Sequence, residues 1–331
     1  MSSNIVGLML IDAPHSALNN AGSDAGDRTD NIVRVKTIRK GMTRYPYVSG
    51  QAFRFWLRET LEDKFDWVMS PINREKKIAF TEANPIDYQD DDAFGYMRAL
   101  KKKDGGTVTR ISPFKNSPLV SVVGQNPTND FGVMARHDEG DPVPYEHEFY
   151  STILKGIFSI DLASLGVFYE NEKTGYKNMY SGLIDIAKEK GLTHNEDEGY
   201  WKLDDEIRIK RAQDIIKSLP YLSGGAKNTS HLTDVTPKIL VLGAIDGGNH
   251  IFMNIVREEN GETIFDIDAL DEVINEYSDI LQTDIYIGLR SGFLKDTYDK
   301  IVEYAKDKDN VQVGTIKEMT DEFSEVIPEL I

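Results

Sequence analysis

Apolar positions change their spacing along this chain, and the spacing predicts the elements. Ile5–Ile11 (IVGLMLI) is an almost unbroken apolar run, the pattern of a central strand buried on both faces. Residues 12–31, rich in Asn, Asp, Gly and Ser, read as a long loop, and a loop of that length in a compact domain is usually functional or mobile. IVRVKTI (32–38) alternates, which predicts a half-exposed strand showing Arg34 and Lys36 on one side. At 50–64 the period changes. Phe53, Trp56, Leu57 and Leu61 fall at i, i+3, i+4 and i+8, one stripe of a helix, and Ser49 suits its N-cap. Gln51, Arg54 and Arg58 lie on the opposite side, one turn apart, where they can grip successive phosphates or form an ordinary polar face with Arg58 paired to an acid.

Further on the pattern weakens and returns. Residues 65–107 are irregular, with Pro71, Pro85, an acidic DDD at 90–92 and KKKDGG at 101–106, and look like an insertion. Arg110–Val123 has strand character, but Pro113 and Pro118 argue against one uninterrupted strand. Residues 124–146 are polar and turn-rich, and a long strand is expected around 153–162. DDEIRIKRAQDIIKSL (204–219) predicts a helix with Ile207, Ala212, Ile215, Ile216 and Leu219 inward and Asp204 as cap. A Gly-rich turn, LSGGAKNTSH, precedes the strand PKILVLGAI (237–245), and IFMNIV (251–256) is a candidate additional strand of the same sheet. This order fits an α+β fold, a ferredoxin-like β-α-β-β-α-β core carrying large insertions.

Charge sharpens the picture. The chain is −17 overall, yet from Arg28 to Arg58 eight basic residues face one acid, Asp30. A basic face on an acidic molecule suggests a polyanion held at one surface. From Asn260 to Ile331 there are 18 acids and 6 basic residues, with helical patterns around 268–281, 292–306 and 316–326; this is expected to be an acidic helical appendage facing solvent or a protein. With no cysteine, disulfide frameworks and Cys-zinc sites are excluded, which fits a reducing cytosol. The N-terminal apolar run is too short for a signal core and no stretch approaches a membrane span, so a cytoplasmic protein without membrane contact is expected.

Candidate chemistry is sparse. His147 in YEHEFY has neither the PCxxC of a zinc deaminase nor HExxH spacing, and a structural hydrogen bond is its expected role. Asp90–Asp92 are expected to form a solvated acidic turn rather than a cation site. SGGAKNTS lacks the phosphate-loop spacing, although Gly224, Gly225 and Lys227 are placed to cradle backbone phosphates without hydrolysis. His15 has no partner at readable spacing that would make it a general base. No metal, cofactor or catalytic residue is expected. The aromatic signature of ordinary RRM domains is missing, so RNA recognition would run through phosphates and shape.

The run from Asn19 to Arg58, with RVKTIRKG and YPYVSGQAFRFWLR, resembles the N-terminal block of the backbone subunit of type I CRISPR surveillance (Cascade) complexes, of the RAMP superfamily and closest to its DevR-like, type I-B branch. MSPINREKKIAFTEANPI (69–86), DDDAFGYMR (90–98), TRISPFKNSPLVS (109–121) and NDFGVMARHDEGDPVPYEHEFY (129–150) continue the resemblance in order over roughly the first half of the chain. The resemblance implies an RRM-like palm (1–64, 108–123 and 150–258), a fingers insertion (65–107) and a thumb hairpin (124–149), with the acidic helical region at 259–331. It also implies a non-catalytic protein whose copies line up along CRISPR RNA and present it to a target DNA strand beside other Cascade subunits. The expected RNA contacts are Asn20, Arg34, Lys36, Ser49, Gln51, Arg54 and Arg58, then Lys115 and Lys227, with Phe131, Met134, Arg136 and His137 on the thumb. Two alternatives stay open: a type III-like RNA-cleaving backbone using Asp24 or Asp27, and a scaffold that binds a basic protein through the acidic tail.

Overall fold

The apolar run near the N-terminus is the middle of the main sheet. In the computed structural model, which describes residues 3–22, 32–101, 106–134, 143–171 and 177–331, β1 (Ser3–Ser16) places Ile5, Met9, Ile11 and Ala13 in one core cluster and Val6, Leu8 and Leu10 in another. Two buried faces leave no room for polar alternation, hence the continuous run. The strand outlasts its apolar stretch: the ladder to the strand at its side runs on through Ala13 opposite Thr152 and, past an irregularity, to Ser16 opposite Tyr150. The loop expected over 12–31 is thus shorter at its start.

The sheet has twelve strands and is mostly antiparallel. After β1 come β2 (Asn20–Gly22), β3 (Ile32–Val35), β4 (Thr37–Lys40), β5 (Thr43–Val48), β6 (Phe114–Asn116), β7 (Leu119–Ser121), β8 (Thr128–Met134), β9 (Val143–Asp161), β10 (Ile239–Asp246), β11 (Ile285–Leu289) and β12 (Val311–Gly314). Their order is β12-β11-β10-β1-β9-β7-β5-β4, with β6, β8 and β3 paired to other stretches of β9, and β2 to β3. Only β11–β12 and β3–β9 are parallel among the described pairs. β9 runs for 19 residues: its first part pairs with β8, Phe149 opposite Thr128 to Val143 opposite Met134, and the remainder with β1. The strand expected at 153–162 therefore starts ten residues earlier, at Val143, where polar side chains hide it. β6 and β7 are short and separated at Ser117–Pro118, the interruption expected from the prolines.

Eight helices surround the sheet among the described residues: α1 (Gly50–Phe65), α2 (Gln89–Phe94), α3 (Ser181–Glu189), α4 (Asp205–Ser218), the single turn α5 (Asn228–His231), α6 (Ile267–Glu276), α7 (Lys295–Ala305) and α8 (Ile316–Val326). α1, α4 and α8 bring Phe53, Trp56, Leu57, Ile215, Ile216 and Phe323 to one face of the sheet. α6 and α7 cover the other with Leu270, Ile274 and Ile301.

Several expectations need correction. IFMNIV forms no strand of the main sheet. Residues 251–254 are turns that bury Ile251 and Phe252, and Val256–Glu259 pairs with Glu262–Phe265 as a separate ribbon. The tail is not helical throughout, because β11 and β12 alternate with its helices and lengthen the main sheet. On α4, Ile207 is 44% exposed while Arg208 and Arg211 are buried. The DDD block is likewise no solvated turn: Asp90, Asp91 and Asp92 lie on α2 and are all buried.

At Asp92 and Arg211 that inversion has one cause. Asp92 is ion-paired with both Arg110 and Arg211 and accepts the Gly166 N–H at 3.1 Å. Arg110 donates to the carbonyls of Val167 (2.9 Å) and Ser164 (2.8 Å), and Arg211 to those of Pro85 (2.9 Å) and Ile86 (3.0 Å). Buried charges persist when paired and hydrogen-bonded, and in this clasp the Arg211 Nε alone is buried without a partner. The clasp ties the 85–95 segment to α4 and to the chain leaving β9.

Candidate nucleic-acid interface

Ser49 has extended backbone, and its hydroxyl accepts the Ala52 N–H at 3.3 Å. Its own N–H donates to Asn19 Oδ1 at 2.9 Å, which fixes the entry of α1. The first turn holds no acid, so the positive end of the helix is not neutralised from within. Beside it opens a cleft of about 380 Å³ lined by Tyr47, Ser49, Gly50, Gln51, Arg54, Asn116 and Pro118.

Arg54 is set into this cleft. Its Nε donates to Asn116 Oδ1 at 2.6 Å and a terminal nitrogen to the Phe114 carbonyl at 3.2 Å. Asn116 is itself held, because its Nδ2 donates to the carbonyls of Ser117 (2.9 Å) and Gly50 (3.3 Å). Burial, and then the neighbouring Arg58, pull the Arg54 pKa below its ordinary value. A guanidinium that burial makes costly to keep charged gains from an arriving anion. Gln51 is exposed on the same side, and Lys115 is exposed next to Asn116. Arg58 is turned inward instead: its Nε lies 3.7 Å from Asp90 and its guanidinium 4.4 Å from the Phe94 ring centre.

The remaining expected contacts sit on neighbouring strands. Arg34 donates to Glu148 at 3.1 Å and Arg44 lies 3.6 Å from the same carboxylate, whose side chain is 5% exposed and also accepts the Val35 N–H at 3.0 Å. Arg34 thus compensates a buried acid. Lys36 is tied by its backbone, donating to the Asn19 carbonyl and accepting from Tyr47. Asn20 pairs with Val35, and its Oδ1 is buried without a partner. Gly224 and Gly225 are glycines because of packing: a Cβ on the first would lie 2.3 Å from Trp56 Cδ1, and on the second 2.5 Å from Leu18 Cδ2. The turn therefore lies against α1 and Leu18, with Lys227 Nζ donating to His147 Nε2 at 3.0 Å. Burial first, then Lys227, lowers the His147 pKa, which keeps the ring a neutral acceptor.

Ser49, Gln51 and Arg54 thus share one cleft with Lys115 next to its Asn116, while Asn20, Arg34, Lys36 and Lys227 do not line it: Lys36 is joined to it through Asn19 and Tyr47, Asn20 and Arg34 lie on β2 and β3, and Lys227 is held by His147. Phe131 and Met134 lie apart on β8, 66% and 61% exposed. Arg136, His137, Asp24 and Asp27 fall outside the described residues. Asn116 and Tyr47 escaped the sequence reading. The one trace of Asn116 is a polar Lys-Asn-Ser between two prolines in an otherwise apolar segment. Among the described residues no group of three or more His, Asp or Glu is arranged to hold a metal ion, and no helix is long and apolar enough to cross a membrane. His15 Nδ1 lies 3.4 Å from Ser151 Oγ.

The family model for the CRISPR-associated negative auto-regulator DevR/Csa2 matches residues 11–260. Comparison with curated protein sequences gives no match. Among solved structures, a chain titled CRISPR RNA-guided surveillance complex aligns over 98% of this chain and 99% of its own, with a TM-score of 0.51 and 9% identity. Another, titled CRISPR RNA-guided surveillance complex, pre-nicking, aligns over 98% and 100% with a TM-score of 0.58 and 11% identity. At such identities the likeness is one of fold.

Proposed function

The chain belongs to the CRISPR-associated DevR/Csa2 family, and we propose that it is the repeated, non-catalytic backbone subunit of a type I-B-like Cascade complex in the cytoplasm. Copies line up along CRISPR RNA, each holding several phosphates and leaving bases free to pair with a target DNA strand, beside other subunits. In this reading β1, β9, β10, α1 and α4 belong to an RRM-like palm, 65–107 to fingers, and the β8–β9 hairpin to a thumb.

The observation that carries the reading is the cleft at the acid-free start of α1, where Arg54 is fixed by Asn116 beside Ser49 and Gln51. A helix N-terminus and an oriented guanidinium recognise phosphate and not sequence, as a holder of any guide must. Fold-level similarity to chains of surveillance complexes supports the same assignment.

Sequencing of RNA that co-purifies with the full chain should return discrete guide-length CRISPR transcripts. If each copy neutralises about four phosphates of single-stranded RNA, log K should fall with log salt concentration at a slope of about −3. Arg54→Ala should flatten that slope by about 0.7, the value of one contact. An unchanged slope and affinity would remove the cleft from the site. Regular cutting of complementary RNA in Mg²⁺ would replace this reading with the type III-like one.

A further inference from the structure

Arg54 and Arg58 are one turn apart on α1 and are held in different ways. Arg54 is fixed in the cleft by hydrogen bonds to Asn116 and to the Phe114 carbonyl. The Arg58 Nε faces Asp90 at 3.7 Å, beyond hydrogen-bond distance, and its guanidinium rests on the Phe94 ring. Charge attraction and a ring face, neither strongly directional, keep it there. The Arg58 side chain is 31% exposed, whereas that of Asp90 is 7% exposed. The arginine has a way out to solvent, and the acid does not.

Helical geometry decides where that way leads. Residues at i and i+4 lie one above the other, about 5–6 Å apart at Cβ, and long side chains on a helix lean back toward its N-terminus. Released from Asp90, Arg58 leans toward Arg54 and the acid-free start of α1. Two forces oppose that move. One is repulsion between the cations: burial and then Arg58 lower the Arg54 pKa. The other is the pair of acids: burial lowers the Arg58 pKa, and Asp90 and then Asp91 pull it back up. A phosphate in the cleft offsets the first force. The second persists, because Asp90 is fixed on α2. Its Oδ1 accepts the Ser70 N–H at 2.8 Å, and Asp92, two residues on, is clamped by Arg110 and Arg211.

We propose that Asp90 restrains Arg58 and holds a second cation out of the phosphate cleft, so that α2, within residues 65–107, sets how firmly α1 grips RNA. This rests on the reading of the cleft as the RNA site and adds its regulation. Release of Arg58 supplies one further phosphate contact next to that of Arg54.

The test uses the full chain and a short single-stranded RNA of mixed sequence. Asp90→Asn keeps an oxygen for the Ser70 N–H and removes the charge. It should bind more tightly than the unaltered chain, and log K should fall more steeply with log salt concentration, by about 0.7, the value of one contact. Its advantage then grows about 2.6-fold from 200 to 50 mM salt. Arg58→Gln alone should leave the unaltered slope in place, and added to Asp90→Asn it should restore that slope. Were Asp90→Asn misfolded by circular dichroism, Asp91→Asn removes the other acid acting on Arg58 and must steepen the slope instead. An unchanged slope in the aspartate variant overturns the restraint. So does a steeper slope that survives Arg58→Gln, or flattening by Arg58→Gln alone. In those cases the cleft reading stands as long as Arg54→Ala still flattens the slope. Absence of every effect, that of Arg54→Ala included, overturns the inference together with the reading beneath it.

Discussion

His250 joins two strands through one nitrogen: Nε2 donates to the carbonyls of Gly7 at 2.9 Å and Phe158 at 3.2 Å. Nδ1 is buried without a partner, so an imidazolium would add an N–H with no acceptor. Burial holds the pKa below the ordinary 6.5, with the two carbonyls pulling against it. An unfolded chain therefore takes up this proton at a higher pH than the native one. In the window below pH 6.5 the unfolded state binds more protons, so the stability this residue contributes is present above that value and lost as pH falls. Urea midpoints measured across that window should fall on acidification, and His250→Gln should flatten the fall; an unaltered slope would exonerate His250. Nothing in GGNHIF announces this role, because both acceptors are backbone groups far away in sequence. Arg54 was legible as a helix-face cation, whereas Asn116, which aims it, was not, since a single Asn has no period.

At the scale of elements, β1, α1, α4 and β10 were legible because each keeps one period for at least two turns or four strand positions. α2 was not. Three consecutive aspartates look like solvent-facing charge, yet Asp92 is met by Arg110 and Arg211, Asp90 by the Ser70 N–H and Arg58, and Asp91 by the Asn84 N–H, all from outside α2. Ile207 faces outward because α4 turns Arg211 to the clasp and Arg208 to the Leu162 and Leu165 carbonyls. Removing one partner leaves the others as uncompensated buried charges. Arg211→Ala should therefore destabilise by about 3–5 kcal/mol. The combined Arg211→Ala, Asp92→Ala variant should cost less than the sum of the two single changes, read from chemical denaturation. Additive losses would mean that the two side chains act independently.

For the whole molecule, the basic and acidic segments are legible from composition, but helical spacing alone makes the acidic one read as a separate helical piece. The apolar five-residue run of β11 is too short to distinguish from a helix segment by period, and only pairing with β10 decides. The family match ends at residue 260, yet Ile316, Met319, Phe323 and Ile327 belong to the core cluster that includes Phe53 and Trp56. Deleting 261–331 should leave a chain that fails to unfold cooperatively and aggregates, seen by circular dichroism and soluble yield. A stable, soluble fragment would restore the view of the tail as an appendage. β9 has a mechanical consequence as well. Its 19 residues span roughly 60 Å as one extended spar. Where the spar passes from β8 to β1 it is unbroken itself, and the irregularity of the ladder lies on β1 between Ala13 and Ser16. A tug along the spar loads its hydrogen bonds to β1 in shear, all together, instead of peeling them one by one. The end of the spar at Val143 is thus anchored like a beam let into a wall, and force applied there reaches the centre of the molecule through β1.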